Sequence, residues 1–231
     1  PSIINPDDKN ALEEALRIKD ENPDTTVTVV SMGPPQADVA MREALAMGAD
    51  EAILISGREF GGSDTWATSY IIATAIKKIP DYDIIFCGRQ AIDGDTAQVG
   101  PQIAEQLNIP QITYVQKLDI EGDKVIVQRQ LEDGYTVVEA KMPVLLTAIK
   151  ELNTPRYMTP KGIFEAYNKT VQVWGFNDVP VDAEKIGLKG SPTNVNRTFS
   201  PEVKGKGIML EGADKETVKT LIAKLDEKHL L

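Results

Sequence analysis

A chain of 231 residues with a hydrophobic fraction of 42% and a charged fraction of 26% has the composition of a soluble globular protein, and is long enough for one large domain with extensions. A formal net charge of −10 speaks against general nucleic-acid binding, which depends on Lys and Arg neutralising phosphates. One cysteine, Cys87, excludes an internal disulfide and a multi-cysteine metal site, and a single histidine, His229, near the C-terminus speaks against a histidine-based triad or metal cluster.

No apolar run approaches the roughly 20 residues that a membrane helix needs, and the first residues lack a basic, apolar, small-residue leader pattern. The expected setting is a reducing cytoplasm. The chain opens at Pro1 and leads directly into a helix, whereas an α/β domain usually opens with a strand. A preceding native segment that includes a strand is therefore expected.

The first helix is signalled by Asn5 as N-cap, Pro6 at the first helical position, and Asp7 and Asp8 at the positive end of the dipole. Leu12, Ala15 and Leu16 follow on one face. A β-rich run, Thr26 to Ser31, stops at Met32-Gly-Pro-Pro35. A helix is predicted from Ala37 to Met47, ended by Gly48, then a short buried strand over Ala52 to Ile55. The loop Gly57 to Ser63 precedes a helix from Asp64 to about Lys78, and Asp83 to Gly88 is the next strand. Alternating strands and helices predict an α/β fold: a parallel sheet covered on both faces. Ligands in such sheets bind beyond the carboxyl ends of the strands, which selects the loops Met32 to Gln36, Gly57 to Asp64 and Gly88 to Gly100.

The pattern changes after Pro110. Ile112 to Ile120, Lys124 to Gln130, Tyr135 to Ala140 and Val144 to Ile149 read as strands. The turns Glu121-Gly-Asp123 and Glu132-Asp-Gly134 predict an antiparallel β extension over about 111–150. A loop and short helix occupy Leu152 to Tyr167. Val171 to Gly212 is rich in Gly, Pro, Asn and Lys, and reads as an arm with few internal contacts. The chain closes on a helix from Ala213 with Val218, Leu221, Ile222 and Leu225 on one face. The expected division is an α/β domain over 1–170 and a C-terminal arm and helix over 171–231.

The segment with most chemistry is Gly88-Arg-Gln-Ala-Ile-Asp-Gly-Asp-Thr-Ala-Gln-Val-Gly-Pro101, between a strand and a helix. Gly94 and Gly100 allow a tight turn and a close approach to a ligand. Thr96 and Gln98 offer neutral donors, and the helix start favours phosphate or pyrophosphate. Asp93 and Asp95 suit ribose or ribityl hydroxyls, or helix capping. An ordinary strand–helix loop with capping residues is the competing reading. Cys87 reads as a small buried hydrophobe without a His base, and Trp66 and Trp174 as packing residues. No side chain stands out as an acid–base catalyst, and no metal site is expected.

The Gly88–Pro101 run resembles the nucleotide loop of electron-transfer flavoprotein β subunits. Asn5-Pro-Asp-Asp8, Val30-Ser-Met-Gly-Pro34, Ala44-Leu-Ala-Met-Gly-Ala-Asp50 and Leu152-Asn-Thr-Pro-Arg-Tyr157 resemble further motifs of that family, in order, and Gly187-Leu-Lys-Gly-Ser-Pro-Thr193 extends the likeness. The resemblance implies a heterodimer with an α subunit that holds redox-active FAD. It also implies a second nucleotide on this chain: AMP in simple carriers, FAD in electron-bifurcating members. Asp93 to Pro101 resembles the bifurcating version, so FAD is favoured over AMP, with NADH as electron donor. Nucleotide contacts are expected from Asn5, Met32, Gly33, Gln90, Asp93, Gly94, Asp95, Thr96, Ala97, Gln98, Val99 and Gly100. The implied partners are an acyl-CoA or hydroxyacid dehydrogenase and ferredoxin or flavodoxin, with the C-terminal arm packing on the α subunit. In the simple carriers a leucine of the recognition loop anchors the dehydrogenase. Here Pro160 stands at that position, so docking is expected from Tyr157, Met158, Pro160, Ile163 and Phe164. The family's opening strand and its Val-Lys-Gln-Val-Pro-Asp type segment are not in this sequence. An electron carrier rather than a stand-alone enzyme is expected. An ATP-using enzyme or nucleotide sensor on a similar fold is the alternative of another class, but neither a Gly-Lys-Ser/Thr phosphate loop nor a Ser-Gly-Gly-x-Asp type motif is found.

Overall fold

Pro6 sets the first turn of α1 (Pro6–Glu21), with Asp7 and Asp8 in that turn and Lys19 in the last, so both ends of the helix complement its dipole. In the computed structural model, which describes residues 3–203 and 205–231, α1 is followed by β1 (Thr28–Met32), α2 (Asp38–Met47), β2 (Glu51–Ile55), α3 (Thr65–Ile76), β3 (Ile84–Gly88) and α4 (Val99–Leu107). The helix and strand alternation read from periodicity is therefore present, with ends shifted by a few residues. Pro1 and Ser2, where the expected domain opens, and Lys204, in the expected arm, lie outside the described residues.

After α4 come β4 (Gln111–Glu121), β5 (Lys124–Leu131), β6 (Gly134–Lys141), β7 (Val144–Ala148), α5 (Pro160–Asn168), β8 (Val171–Trp174), the single turn α6 (Gly187–Gly190) and α7 (Lys215–Glu227). They form a parallel sheet ordered β1-β2-β8 and a mixed sheet ordered β3-β7-β4-β5-β6. In the mixed sheet β3, β7 and β4 run parallel and β4, β5 and β6 antiparallel. The antiparallel extension thus ends at Lys141 rather than near residue 150, and β7 is an inner parallel strand because its register is set by β3, some 60 residues earlier. The first hairpin turns at Gly122, whose φ is 62°, a conformation that suits a residue without Cβ.

The inner strands explain why both faces must be covered. In β2, Ala52 and Leu54 join one apolar cluster with Leu12 and Leu16 of α1 and Leu45 of α2. Ile55 joins another, with Ile71 and Ala75 of α3. In β7, Val144, Leu146 and Ala148 meet Ala11 of α1, while Leu145 meets Ala73 and Ile76 of α3 and Ile103 of α4. Successive side chains leave a strand on opposite faces, so continuous apolar runs such as Val144-Leu-Leu146 require helices on both sides. Helices α1 and α3 each pack on both sheets, one on either face.

The expected arm begins later than Val171. Strand β8 pairs in parallel with β2, Trp174 opposite Ile55, and Val179 and Ile186 are buried with Phe60 and Ile71. Two compact units result, Pro1–Asn194 and Val195–Leu231, in place of a division at residue 170. A four-residue strand is too short to show a period, and its apolar partners lie more than 100 residues earlier in the chain. The second unit is an irregular stretch followed by α7, whose N-cap Asp214 accepts a hydrogen bond from the Thr217 amide at 2.8 Å.

Candidate functional site

The parallel strands end at Met32, Ile55, Gly88, Ala148 and Trp174. The β2–α3 and β3–α4 loops meet there: Thr65 Oγ1, at the start of α3, donates to Gln98 Oε1 at 3.1 Å. The first turn of α1 joins the same rim. The segment singled out by its glycines therefore lies at the strand tips, where ligands of α/β sheets bind.

Residues 91–96 are exposed and Gly100 is buried. Asp95 and Ala97 have φ of 54° and 52°, a left-handed conformation that is rare for residues with a Cβ. Gly94 does not adopt it, and a Cβ there would meet nothing within 4 Å. The tight turn expected at Gly94 is thus made by Asp95 and Ala97. Gly100 serves packing: its Cβ would stand 3.0 Å from Thr147 Cγ2 and 3.5 Å from Cys87 Cβ, so it lets α4 lie against the sheet. Val99 also packs inward, with Ile103 and Leu145.

Side chains in the loop bond largely to one another. Gln90 Nε2 donates to Asp95 Oδ1, and the Gly94 amide donates to Asp93 Oδ1 at 2.9 Å. The start of α4 has neither a side-chain cap nor an acidic residue in its first turn, whereas α3 and α7 are capped by Asp64 and Asp214. The first N–H groups of any helix have no intrahelical partner. Those of α4, at a strand tip and with no carboxylate upon them, suit an anionic group. Of the first residues of α4, Val99 and Gly100 carry an N–H and Pro101 does not, while the Gln102 amide already donates to the Gln98 carbonyl at 3.0 Å, so two main-chain donors stand at this end.

Met32 and Gly33 reach the rim differently. Met32 is half-buried against the apolar cluster that contains Ile55, and the Gly33 amide donates to the Ile55 carbonyl at 3.0 Å. Asn5 stands at the N-cap position of α1, but its side chain does not cap the helix. Instead Nδ2 donates to the Gln90 carbonyl and to Asp8 Oδ2, both at 2.9 Å, and Oδ1 accepts from the Ile92 amide at 3.2 Å. Loop closure rather than capping is what this side chain does.

Three further residues matter here that sequence reasoning passed over. Asp8 Oδ1 accepts from the Gly88 amide at 2.6 Å. Asp8 occupies a crevice: surrounding protein raises its carboxyl above the ordinary value, the Gly88 and Asn5 bonds pull it down, and Asp7 pushes it up. Its accessible area keeps one side open to water, which limits the raise. Gly88 admits α1, since a Cβ there would fall 2.6 Å from the Asp8 nitrogen. Arg89 Nε lies 3.3 Å from Asp7 Oδ2, and both line a polar pocket of about 270 Å³ with Gln130, Ile149, Lys150 and Glu151. That pocket adjoins the 90–100 loop without including it. Asp7 and Asp8 were legible as helix-start charges; their partners, some 80 residues away, were not. Burial of the Cys87 thiol, with the Asp8 charge beside it, pushes its pKa up to about 12, so it is an inert thiol at neutral pH.

The Leu152–Tyr157 segment is tied to α1. Arg156 forks onto Glu13, Nε to Oε2 at 2.8 Å and Nη2 to Oε1 at 3.0 Å, and reaches Asp20 at 2.7 Å. Asn10 and Asn153 exchange bonds. Beyond this anchor, Tyr157, Met158, Pro160, Ile163 and Phe164 are all exposed, Tyr157 at 95% and Phe164 at 77%. Helix α5 is fixed from beneath by Ala166, buried against α2, and by Arg42, whose guanidinium lies 5.3 Å from the Tyr167 ring centre. The Gly187–Thr193 motif closes on the β2–α3 loop. Ser191 Oγ accepts from the Asp64 amide at 2.8 Å, and Asp64 Oδ2 accepts from the amide and hydroxyl of Thr193.

Among the described residues no helix is long and apolar enough to cross a membrane, and no cluster of three or more His, Cys, Asp or Glu could hold a metal ion. The electron transfer flavoprotein domain matches residues 1–179. Similar proteins include an electron transfer flavoprotein subunit beta of Thermoanaerobacterium thermosaccharolyticum, 61% identical, covering 100% of this chain and 88% of that one. The CarD subunit of the caffeyl-CoA reductase–Etf complex of Acetobacterium woodii is 56% identical, and the electron transfer subunit gamma of acryloyl-CoA reductase of Anaerotignum propionicum 54%, each with the same coverage. A family domain spanning most of the chain and full-length relatives above half identity lead to one conclusion: this chain belongs to the electron transfer flavoprotein family, as one of its β subunits.

Proposed function

We propose that this β subunit binds FAD at the Gly88–Gly100 loop and works in NADH-dependent electron bifurcation together with an α subunit. The observation that carries the reading is the uncapped, acid-free start of α4 at a strand tip, reached through the glycine- and aspartate-bearing loop. Relatives named for caffeyl-CoA reductase and acryloyl-CoA reductase complexes support a role beside an oxidoreductase of CoA thioesters; in this reading the partner is an acyl-CoA or hydroxyacid dehydrogenase and ferredoxin or flavodoxin is the second acceptor.

In this reading the α4 amides hold the diphosphate and the left-handed turn at Asp95 and Ala97 brings main chain close to it. Asp93 and Asp95 accept from ribityl or ribose hydroxyls, and Gln90 orients Asp95. Bound flavin would supply hydride acceptance and one-electron delivery; the chain's own task is to place and electrostatically tune the ring. Tyr157, Met158, Pro160, Ile163 and Phe164 form the dehydrogenase-docking surface on a base fixed by Arg156. Val195–Leu231 packs on the α subunit through the exposed Val218, Leu221 and Ile222, an apolar stripe with no cover inside its own unit. A cytoplasmic setting agrees with this role.

Nucleotide content of the purified heterodimer tests the proposal. Two FAD per αβ pair, bleached by NADH, is the expected result; one FAD with one AMP would make the chain a simple carrier subunit. Gly94→Val localises the site. The fold asks nothing of Gly94, so loss of the second nucleotide in a normally folded variant reports ligand contact. Unchanged occupancy would place the nucleotide elsewhere.

A further inference from the structure

We infer that Asp8 and Asn5 form a positioning clamp for the β3–α4 loop, in which the Asp8 carboxylate fixes the orientation of the Asn5 amide and that amide fixes the loop's first turn. The inference rests on the reading of Gly88–Gly100 as the nucleotide loop.

The two ends of an amide side chain are told apart only by their partners. Asn5 Nδ2 faces two acceptors, the Gln90 carbonyl and Asp8 Oδ2, each at 2.9 Å. Its Oδ1 faces one donor, the Ile92 amide, at 3.2 Å. Rotating the amide by half a turn would set oxygen against the carbonyl and the carboxylate, and NH2 against the Ile92 N–H. Asp8 is the charged member of this set, and a bond to an ionised group is about twice as strong as a neutral one. It stands three residues after Asn5, held by the helix that Pro6 opens. Its other oxygen takes the Gly88 amide at 2.6 Å.

Two side chains on one helical turn thus grip the loop at three main-chain points: the Gly88 amide, the Gln90 carbonyl and the Ile92 amide. Arg89, between them, is tied through its own amide to the Ala148 carbonyl at 2.9 Å. The root of the loop is fixed to α1 and β7, and only residues 93–97 project beyond it. Surrounding protein favours the neutral form of Asp8, and the Gly88 and Asn5 bonds favour the ionised form. Burial is the larger effect and the carboxyl stands above its ordinary value, so the contacts that set the loop oppose the loss of its charge without cancelling the effect of burial.

Exchange of the two side chains gives the test. Asp8→Asn keeps size and the acceptor for Gly88 but turns an NH2 toward the NH2 of Asn5. Asn5→Asp sets two carboxylates together and removes the donor to Gln90. The double exchange, Asn5→Asp with Asp8→Asn, restores a donor–acceptor pair between the two positions and the acceptor for Ile92, but leaves a carboxylate oxygen facing the Gln90 carbonyl, which Asn5 Nδ2 bonds at 2.9 Å in the wild type. In heterodimer stripped of nucleotide and titrated separately with FAD and AMP, each single variant should weaken binding about tenfold or more. The double variant should recover part of that loss, binding about threefold or more tighter than either single variant while staying below wild type. Amide hydrogen exchange gives a readout independent of ligand. Ile92 exchange should accelerate in Asp8→Asn, although no hydrogen bond joins residue 8 to Ile92, and should slow again in the double variant. Single variants that bind like wild type, a folded double variant no better than the singles, or Ile92 exchange unmoved by Asp8→Asn would each overturn the clamp. Wild-type heterodimer that takes up neither nucleotide overturns the nucleotide reading instead, while the Ile92 exchange still decides the clamp.

Discussion

Gly88 and Gly94 lie six residues apart and make opposite demands. At Gly88 an added Cβ would fall 2.6 Å from the Asp8 nitrogen and 2.8 Å from the Asp7 carbonyl carbon, both backbone atoms that cannot turn aside. Gly88→Ala should therefore destabilise the fold by about 1–3 kcal/mol through overpacking, whereas Gly94→Ala should stay within about 0.5 kcal/mol of wild type; chemical denaturation of the two variants side by side checks this. Asp64 sets a second condition at this scale. Burial alone would raise its carboxyl, but bonds from the Ala67 amide and from Thr193 outweigh burial and hold it below the ordinary 3.8. A carboxylate lowered in the folded state contributes stability that is present above its unfolded value and lost as pH falls through the folded one. The Gly187–Thr193 closure should accordingly loosen as pH drops below 3.8, seen as faster amide exchange at Thr193. Asp64→Ala should show the same loosening at neutral pH, with a cost of about 1 kcal/mol for the lost cap.

At the scale of elements, α1 is the member that both candidate surfaces share. Its first turn grips the β3–α4 loop, and its middle grips the segment before α5 through Asn10, Glu13 and Asp20. Glu13 is the buried partner, at 5% exposure. Arg156→Met would strand that carboxylate, at a cost of about 2–3 kcal/mol. Adding Glu13→Gln should return part of the loss, since the charge no longer needs a partner. Thermal melts of the single and double variants decide the point, and a double variant as unstable as the single one would mean that Arg156 acts through packing alone. The type and order of these elements were legible because apolar spacing, Pro6, Gly48 and the turn residues all act locally. Strand β8 was not legible. Four residues give no measurable period, and what makes Val171–Trp174 a strand is the free edge of β2, which no local rule reveals.

For the whole molecule, the division at Asn194 separates a unit with its own core from one whose helix has no buried residue. A chain ending at Asn194 should keep the cooperative melt of the larger unit, because Val179 and Ile186, which help to close that core, remain in it. The same chain should fail to co-elute with the α subunit in size-exclusion chromatography. Ending the chain at residue 170 should instead lower the melting temperature sharply, since β8 and both buried side chains would be lost. Equal melts for the two truncations would contradict the position of β8 in the parallel sheet.

The α/β class, the antiparallel extension, the place of the loop between a strand and a helix, and the family likeness follow from the sequence by itself, because each depends on neighbours within a few turns or on ordered motifs. Tertiary structure alone decided which turn residue bends the loop, that Asn5 serves the loop rather than the helix, that Gly187–Thr193 closes on Asp64, and where the core ends. The first is a choice of backbone angle at Asp95 and Ala97 that a flanking glycine obscures in the sequence; the other three depend on atoms that meet across 80 to 130 residues of chain. Such meetings are selected by the packing of the sheets, and no local pattern records them.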